Sequence, residues 1–512
     1  MKNFKLFAKR TGLFLFAAGL ASTANAQILR TSYTQDVPYA LQMNPAMMPS
    51  HGYLSPLIGP LSVSASSNAF GTGAVQDMMD ANGDYYKSDK FLDNLKDENN
   101  LNLSMQWDQI SVGWYKGKNF WSFSTGTRIE MGATMPKSIF QFMNQMNGST
   151  LDNTVWKKGL KAKLEGEKID MMVYQEIGVG FARKITDKLT VGAKVKALVG
   201  AANMEFEISK MNVETPSGID VDKIKDIAEF AKANPSLDWS KYKDYVTPAT
   251  LTKLTELDAI RQQIKGVAGV NVAATGKASM GGLKWKHKTN EDGSQGYING
   301  AEMNGFKIAG YGLAIDLGAT YEVIENLKVT AALTDLGFIN WSKSESKIID
   351  VSLSQNYNLS VDNKKQAGAG FDGGLNEFAQ KVASNEIVNY DMLEMKESDG
   401  DGYSSSLYTT LSIGGQYMML DDKLVVGALY TGHFSKPKAL NELTLSGAYN
   451  LSAWANIALS YSMIQSAGKS FGIGLKLGPV YLGTDYMFFG NDTKCANALI
   501  GLSLPLGKQK NS

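Results

Sequence analysis

The stretch Tyr311–Trp341 reads YGLAIDLGATYEVIENLKVTAALTDLGFINW and alternates between two kinds of side chain. In its first arm the odd-numbered positions from Tyr311 to Val323 are apolar or aromatic, and the even-numbered positions are small, polar or acidic. A period of two predicts a strand with one apolar face and one polar face. The alternation resumes after a short turn at Glu325 and Asn326, so the stretch predicts a β-hairpin.

The length of the two arms separates a membrane hairpin from a soluble one. Each arm is longer than the ~9–11 residues that a tilted strand needs to cross a bilayer. Strands of soluble proteins, including those of a β-sandwich, average only about 5–6 residues. The hairpin therefore favours a transmembrane β-barrel, with the soluble sandwich as the alternative.

The same alternation recurs along the chain and allows the strands to be counted. Short turns lie near residues 117, 186, 325, 421, 455 and 478, and long connections lie near residues 71–101, 134–168, 208–304 and 342–404. Bacterial barrels have short periplasmic turns, long external loops and an even number of strands. If both ends of the barrel are periplasmic, these turns predict an all-β fold, a monomeric antiparallel transmembrane β-barrel of about 14 strands.

The long connections carry patterns of their own. Val221–Ala233 and Pro248–Lys265 have apolar residues at helical spacing, which predicts helical insertions in long extracellular loops. Val270–Trp285 is weakly strand-like, but a further spanning strand would break the parity. We therefore expect it to belong to the external insertion.

The ends of the chain predict an exported protein. Lys2, Lys5, Lys9 and Arg10 precede an apolar run and the small-residue site Ala24–Asn25–Ala26, which is the pattern of a cleaved signal peptide over residues 1–26. Residues 27–56 lack periodicity and predict a segment that is periplasmic or plugs the barrel. Residues 57–506 would then form the barrel and residues 507–512 a C-terminal tail.

Composition excludes several functions. Lys plus Arg number 51 against 50 Asp plus Glu, so bulk charge indicates no nucleic-acid partner. The single Cys495 and three scattered histidines offer no metal-ligand spacing. His433 and Ser435 are an isolated pair near the predicted external rim. We expect no catalytic residues, no cofactor, no metal and no enzyme.

Two places in the sequence resemble a known family. The pattern of Gly312, Asp316, Gly318 and Tyr321, followed by Asp335–Trp341, resembles a family of outer-membrane β-barrels of unknown function, as does the early Asn44–Pro45–Ala46. That family in turn resembles long-chain fatty-acid transporter barrels and barrels associated with type IX secretion. The motif and lumen candidates on this basis are Asn44, Pro45, Gly312, Asp316, Gly318, Tyr321, Glu322, Asp335, Gly337 and Trp341.

The resemblance implies a location in the cell outer membrane and two functions. The first is a passive channel or transporter for a small hydrophobic ligand. The alternative is a structural or secretion-associated barrel that binds a protein partner through its extracellular loops. The expected partners are outer-membrane lipid, the barrel-assembly machinery, and either that ligand or that protein.

The alternation also predicts which way side chains point. Ile315 should face lipid and Asp316 the lumen, and Trp341 should join an aromatic girdle at the membrane interface. Asp335 falls on the apolar parity of its strand, and a bulge at Gly337 or a position above the hydrocarbon would relieve that conflict.

Overall fold

The computed structural model describes residues 30–508 except 57–58, 70, 72–88, 148–149, 152, 216, 219, 221–266, 282, 290–294, 304–306, 359–393, 453, 465–469 and 487–494. The predicted signal peptide and the predicted helices Val221–Ala233 and Pro248–Lys265 lie outside the described residues.

The described strands, in chain order, are β1 (His51–Pro56), β2 (Leu61–Ser67), β3 (Glu98–Lys116), β4 (Asn119–Pro136), β5 (Met146–Asn147), β6 (Thr150–Leu151), β7 (Leu160–Lys163), β8 (Lys168–Lys184), β9 (Leu189–Thr215), β10 (Val267–Met280), β11 (Leu283–Thr289), β12 (Gln295–Met303), β13 (Gly310–Ile324), β14 (Leu327–Trp341), β15 (Ser346–Asn358), β16 (Glu394–Asp399), β17 (Tyr403–Ser406), β18 (Thr410–Met419), β19 (Leu424–His433), β20 (Leu440–Ser452), β21 (Ala455–Ile464), β22 (Ser470–Leu477), β23 (Val480–Thr484), β24 (Cys495–Leu502) and β25 (Leu504–Lys508). The described helices are α1 (Ala40–Met43), α2 (Asp89–Asn94), α3 (Lys137–Asn144) and α4 (Asn153–Lys158), with 3-10 turns at Arg30–Thr34 and Lys343–Glu345.

The strands close into an antiparallel barrel of fourteen wall strands, which confirms the number predicted from the turns. β1 and β2 together form the first wall strand, and β24 and β25 together form the last. The barrel closes where Leu54 pairs with Leu504 and Val63 pairs with Ala498. Between them the wall runs through β3, β4, β8, β9, β13, β14, β18, β19, β20, β21, β22 and β23.

The two faces of the wall follow the sequence alternation. Leu313 on β13, Val195 on β9 and Leu459 on β21 point outward and are 59%, 57% and 56% exposed. Asp316 and Thr320, which alternate with the outward residues of β13, are buried in the lumen. An apolar outer surface around a polar interior is typical of a barrel that has lipid as its outer solvent.

The boundaries of the barrel differ from those expected. His51–Pro56 pairs with both β25 and β3, so the wall begins at residue 51 and not at residue 57. It ends at Lys508 and not at residue 506, because His51 pairs with Lys508. The segment His51–Pro56 lacks a clear alternation in the sequence, and its pairing with β25 and β3 is what makes it part of the wall.

The region around Val270–Trp285 contains a strand that extends the wall beyond the barrel. β9 is 27 residues long, and its first part pairs with β13 while its second part pairs with β10. β10 in turn pairs with β15 over thirteen residue pairs. β10 therefore stands in line with β13 and is not a further wall strand. Within the described ranges, no helix is both long and apolar enough to span a membrane.

Candidate functional site: the plugged lumen

Residues 30–50 lie inside the barrel and form a plug in its lumen. Tyr33, Tyr39, Ala40 and Met43 are all less than 5% exposed, although the segment contains only one short helix, α1. The later residues of the plug reach the end of the barrel that carries the short turns. Near the rim, for example, the Lys476 ammonium donates to the Asp36 carbonyl and the Tyr115 hydroxyl donates to the Pro49 carbonyl.

The start of the plug is anchored by buried charge. The Arg30 guanidinium lies 3.7 Å from the Asp485 carboxylate and donates hydrogen bonds to the hydroxyls of Thr444 and Tyr486. Asp485 also accepts hydrogen bonds from the backbone N–H groups of Arg30 and Thr31. Burial alone would lower the pKa of Arg30, but the nearby Tyr486 and Asp485 more than offset it and raise that pKa. The guanidinium therefore stays charged.

Next to this anchor the plug faces a wall of small hydroxyl and amide groups. The Thr31 hydroxyl lies 2.5 Å from that of Ser460, and the Tyr33 hydroxyl lies 2.9 Å from that of Thr330. The Gln35 amide donates to the side chain of Asn456 and accepts from the Tyr481 hydroxyl. Burial raises the pKa of Tyr33 to about 12, so its hydroxyl remains protonated.

Asn44 and Pro45 fix the plug to the opposite part of the wall. The Asn44 amide nitrogen donates to the carbonyls of Ala319 and Ala331, both at 3.2 Å, and its side-chain oxygen accepts from the Ala46 N–H. A Cβ at Gly318 would lie 2.0 Å from the Asn44 oxygen. Gly318 is therefore glycine because the plug approaches the wall closely at this point, and the two predicted motifs are in contact.

A network of charged side chains follows the inner face of six consecutive wall strands, from β3 to β14, next to the plug. Lys196 lies 2.8 Å from Asp316 and 2.6 Å from Asp335, and it is also 3.8 Å from Glu176. Glu176 pairs with Arg128 at 2.7 Å and with Lys194 at 3.2 Å.

The charged network continues to the plug itself. Arg128 pairs with Asp108 at 2.8 Å. The Gln42 amide of the plug donates to the other oxygen of Asp108 at 2.7 Å. The wall charges and the plug thus form one connected set of hydrogen bonds and ion pairs.

A bulge brings Asp335 into this network. The register between β13 and β14 shifts from Ile315↔Leu336 to Leu317↔Leu333, and Asp335 has a φ of 58°. A bulge allows a residue of outward parity to turn inward. The predicted bulge exists, but it is at Asp335 and not at Gly337. The Asp335 backbone N–H donates to Asp316 at 2.8 Å, which ties the two predicted acids together.

Above the charged network the lumen holds a cavity and an apolar cluster. The cavity has a volume of about 40 Å³ and is lined by charged residues of the network on one side and by Met172, Tyr174 and Tyr408 on another. This is enough volume for water, since a single water needs at least about 10–15 Å³. Tyr174 and Met172 continue into a buried cluster with Leu198, Ile339, Trp341 and Leu407.

The other end of the lumen is crossed by the connection between β19 and β20. The Lys436 carbonyl oxygen packs directly against Gly132 of β4, because a Cβ at Gly132 would lie only 1.9 Å from that oxygen. The Lys436 ammonium lies 3.6 Å from Glu205 of β9, and the Lys438 ammonium lies 3.4 Å from Glu98 of β3. Residues 434–439 therefore reach strands on the far side of the barrel.

The remaining predicted residues have separate positions. Gly312 and Gly337 lie where β13 and β14 approach closely, since a Cβ at Gly312 would be 2.0 Å from the Phe338 carbonyl and one at Gly337 would be 2.4 Å from the Ala314 Cβ. Tyr321 is 44% exposed on the outer surface. Glu322 lies near the short turn, where its backbone N–H donates to the Lys188 carbonyl.

The girdle assignment of Trp341 is wrong. Its ring is 2% exposed and points into the lumen, where the indole N–H donates to the Ser405 hydroxyl at 2.6 Å. The bulge at Asp335 reverses the parity of the residues that follow it on β14, and this places Trp341 inside. Trp107 and Trp114, in contrast, are 37% and 43% exposed on the outer surface.

Most of the charged network is absent from the residues predicted from the sequence. Its unpredicted members are charged residues in strands with apolar neighbours: Lys194, Lys196, Glu176, Arg128 and Asp108. Their position on the small or polar parity of a long strand is the signal that could have identified them.

His433 is part of this interior and not of a catalytic pair. Its Nδ1 lies 2.8 Å from the Thr410 hydroxyl, while Ser435 donates to the Lys438 carbonyl. In the part of the chain that the structure describes, no three His, Cys, Asp or Glu side chains are grouped so as to hold a metal ion.

Fold and lumen together define a class, a transmembrane β-barrel of fourteen strands whose interior is filled by its own N-terminal segment. The chain belongs to a family of unknown function, DUF5723, whose model matches residues 45–485. This confirms the resemblance to a family of uncharacterised barrels that was inferred from the sequence.

Several solved structures are similar in fold. The toluene transporter TodX of P. putida has a TM-score of 0.38 and 11% identity, over 94% of this chain and 99% of that one. A FadL homologue of Pseudomonas aeruginosa has a TM-score of 0.35 and 10% identity, over 94% and 98% of the two chains. The translocator domain of the autotransporter NalP from Neisseria meningitidis has a TM-score of 0.29 and 7% identity, over 90% of each. No curated protein matches the chain.

Proposed function

We propose that this protein is an outer-membrane channel that is closed at rest by residues 30–50 and transports a small hydrophobic ligand when that segment moves. The observation that carries the proposal is the plug. Fourteen strands enclose a lumen that must be filled or conduct. Among the described residues, the filling segment joins the wall covalently at residues 50–51 alone and is otherwise held by hydrogen bonds, packing and the Arg30–Asp485 ion pair.

The apolar cluster beyond the charged network supports the ligand class. Met172, Leu198, Ile339 and Leu407 bury apolar surface inside the lumen, where a water-filled pore would carry polar side chains. A small apolar molecule could replace these contacts in part without leaving polar groups unpaired. The outer-membrane location is supported by the apolar outer face, and lipid and the barrel-assembly machinery are the partners it implies.

A second candidate function rests on the sheet that stands beyond the barrel. The second part of β9 pairs with β10, β10 pairs with β15, and β15 pairs with β16, while β11 and β12 form a further hairpin in the same region. Such a platform would suit a structural or secretion-associated role in which a protein partner binds the external surface.

Removal of the plug tests the first proposal. A variant that lacks residues 31–50 is expected to form a steady open pore in planar bilayers, whereas the intact protein stays closed for most of the time. A subtler variant, Gly318→Val, would push Asn44 out of its site and is expected to raise the open fraction. The matched control is Gly415→Ala, because the nearest atom to its new Cβ is 3.9 Å away.

The ligand class requires a separate measurement. Cells that express the intact protein should take up a small aromatic hydrocarbon faster than cells without it, and a sugar of similar size should not enter faster. A barrel that remains closed without residues 31–50 would contradict the channel. Equal uptake of both solutes would contradict the hydrophobic ligand, and a stable complex with a surface protein would favour the second candidate.

A further inference from the structure

Four polar side chains interrupt the apolar outer surface of the barrel. Gln109 of β3, Thr125 and Thr127 of β4, and Gln175 of β8 are joined by hydrogen bonds of 2.7–3.0 Å. These bonds are outside the lumen, because the inward positions of the same strands are held by Asp108, Arg128 and Glu176. We call these four residues the polar patch.

The polar patch lies within the depth of the apolar belt. Along β8 the outward residues on either side of Gln175 are Val173 and Ile177, and Ile177 is 43% exposed. Along β3, Trp107 and Ile110 flank Gln109 and are 37% and 41% exposed. Elsewhere on the wall the corresponding outward positions are apolar, as at Leu317, Ile413, Leu445 and Leu459.

A bulge lies within the polar patch. Asp108 pairs with Gly126 and Ile110 pairs with Thr125, so Gln109 is an extra residue between them. Without the bulge, Gln109 and Asp108 would keep strict alternation and the next residues of β3 would change faces. The bulge therefore keeps Gln109 and the following Ile110 on the same outer surface, so an amide and a large apolar side chain lie side by side there.

The hydrogen bonds within the polar patch do not use all of its donors and acceptors. The Gln109 amide has two N–H donors and uses one for Thr127. The Thr125 hydroxyl accepts from Gln175, and among the described residues nothing accepts from it. The side-chain carbonyls of both glutamines also retain lone pairs. Spare donors that face hydrocarbon are costly because lipid tails cannot accept a hydrogen bond.

We infer that the polar patch is the centre of an interface with a second copy of this chain. The patch carries no net charge and offers both donors and acceptors, so under a two-fold rotation the spare N–H of one copy meets the spare carbonyl of the other. A charged partner would find no complementary charge here. Trp107, Ile110, Ile177 and Val179 surround the patch with large apolar side chains, which suits the rim of a membrane interface.

This inference replaces the expectation of a monomer, and it rests on the membrane location that belongs to the proposed function. It does not depend on what passes through the lumen. Polar residues act in this way between transmembrane helices, where hydrogen bonds across the contact substitute for those that lipid cannot make.

The interface can be tested with single cysteines in outer membranes, in a background that carries Cys495→Ala. Ile110→Cys, beside the patch, should give a disulfide-linked dimer on mild oxidation. Val426→Cys is the matched control, because it is 36% exposed and lies on β19, seven wall strands away and thus across the barrel. Folding of each variant is checked by the change in electrophoretic mobility on heating.

A second variant separates a specific interface from chance collision. This triple variant combines Gln109→Leu, Thr127→Val and Gln175→Leu. It should reduce the amount of Ile110→Cys dimer at least tenfold, and it should leave the barrel folded because the new side chains are apolar and face lipid. Three outcomes would each overturn the inference. Ile110→Cys and Val426→Cys could give equal amounts of dimer, the triple variant could give as much dimer as Ile110→Cys alone, or the cross-link could join a different protein. Absence of the protein from outer membranes would instead contradict the proposed location.

Discussion

Asp316 shows how a single lumen residue acquires a structural role. Alternation alone places it in the lumen, where a wet interior could accept almost any polar side chain. In the structure its carboxylate pairs with Lys196 at 2.8 Å and accepts the Asp335 backbone N–H at 2.8 Å. A buried charge that loses its partner is strongly destabilising. Asp316 is therefore part of what holds β9, β13 and β14 in register.

The first prediction compares the two faces of β13. Ile315→Arg should lower the free energy of unfolding by roughly 2–4 kcal/mol because it puts a cation into lipid. Asp316→Arg should cost about as much, ~3–5 kcal/mol, because it leaves Lys196 facing a second cation. Urea unfolding in lipid vesicles, followed by the heat-dependent change in mobility, measures both.

Asp187→Arg is the control, since Asp187 is exposed in a short turn and a surface change there should stay within about 0.5 kcal/mol. If Asp316→Arg were as mild as this control, the ion pair with Lys196 would not contribute to stability. If Ile315→Arg were as mild, β13 would not face lipid at that depth.

At the scale of elements, the plug is held at two places that differ in chemistry. Its first residues use a buried ion pair and a wall of hydroxyl groups, and its last residues use the uncharged contacts of Asn44 with two wall carbonyls. Asp485 is central to the first attachment, because it pairs with the Arg30 guanidinium and accepts from the backbone N–H groups of Arg30 and Thr31. The plug continues into the wall at residues 50–51, so we expect it to open from its Arg30 end.

The second prediction concerns that pair. Arg30→Met and Asp485→Asn should each loosen the plug because each leaves one buried charge unpaired, whereas the double variant should be closer to the intact protein. The measure is the rate at which a membrane-impermeant maleimide labels Ala40→Cys, with Cys495→Ala as background. Ala40 is 3% exposed, so labelling requires the plug to move.

The single variants should label at least tenfold faster than the parent. Lys476→Met is a suitable control because, within the described part of the chain, its ammonium donates only to the Asp36 carbonyl at the rim. A double variant that labels as fast as the sum of the two single ones would mean that Arg30 and Asp485 act independently.

At the scale of the whole molecule, the short turns and the long connections lie at opposite ends of the barrel. The plug enters from the end with the short turns, and residues 434–439 cross the lumen at the other end. The lumen is thus closed twice, with the charged network between the two closures. Transport would require both to move.

The third prediction is the orientation. Residues 208–304 should be extracellular, so trypsin added to intact cells should cut within Val221–Ala233 or Pro248–Lys265. The turn at Lys116–Asn119 should be cut only after the outer membrane is permeabilised. The reverse pattern would place the plug at the cell surface and would invert the proposed direction of closure.

The sequence by itself determined the wall of this protein. Each wall strand is a local pattern, since period-two alternation and short turns depend on residues that are neighbours in the chain. Leu313 and Asp316 point to opposite sides because of their parity, and no distant contact is needed to establish it. The number of wall strands followed from counting such local signals.

Only the tertiary structure decided what fills and crosses the lumen. The plug has no periodicity, because its contacts with Asp485, Ser460 and Ala319 come from strands that are hundreds of residues away in the chain. Bulges are also decided by the tertiary structure. One extra residue at Asp335 or Gln109 exchanges the inward and outward faces of the residues that follow, without a clear sign in the sequence. Trp341 was misplaced for this reason, and the boundary at residue 51 was missed because strand pairing, and not alternation, makes His51–Pro56 part of the wall.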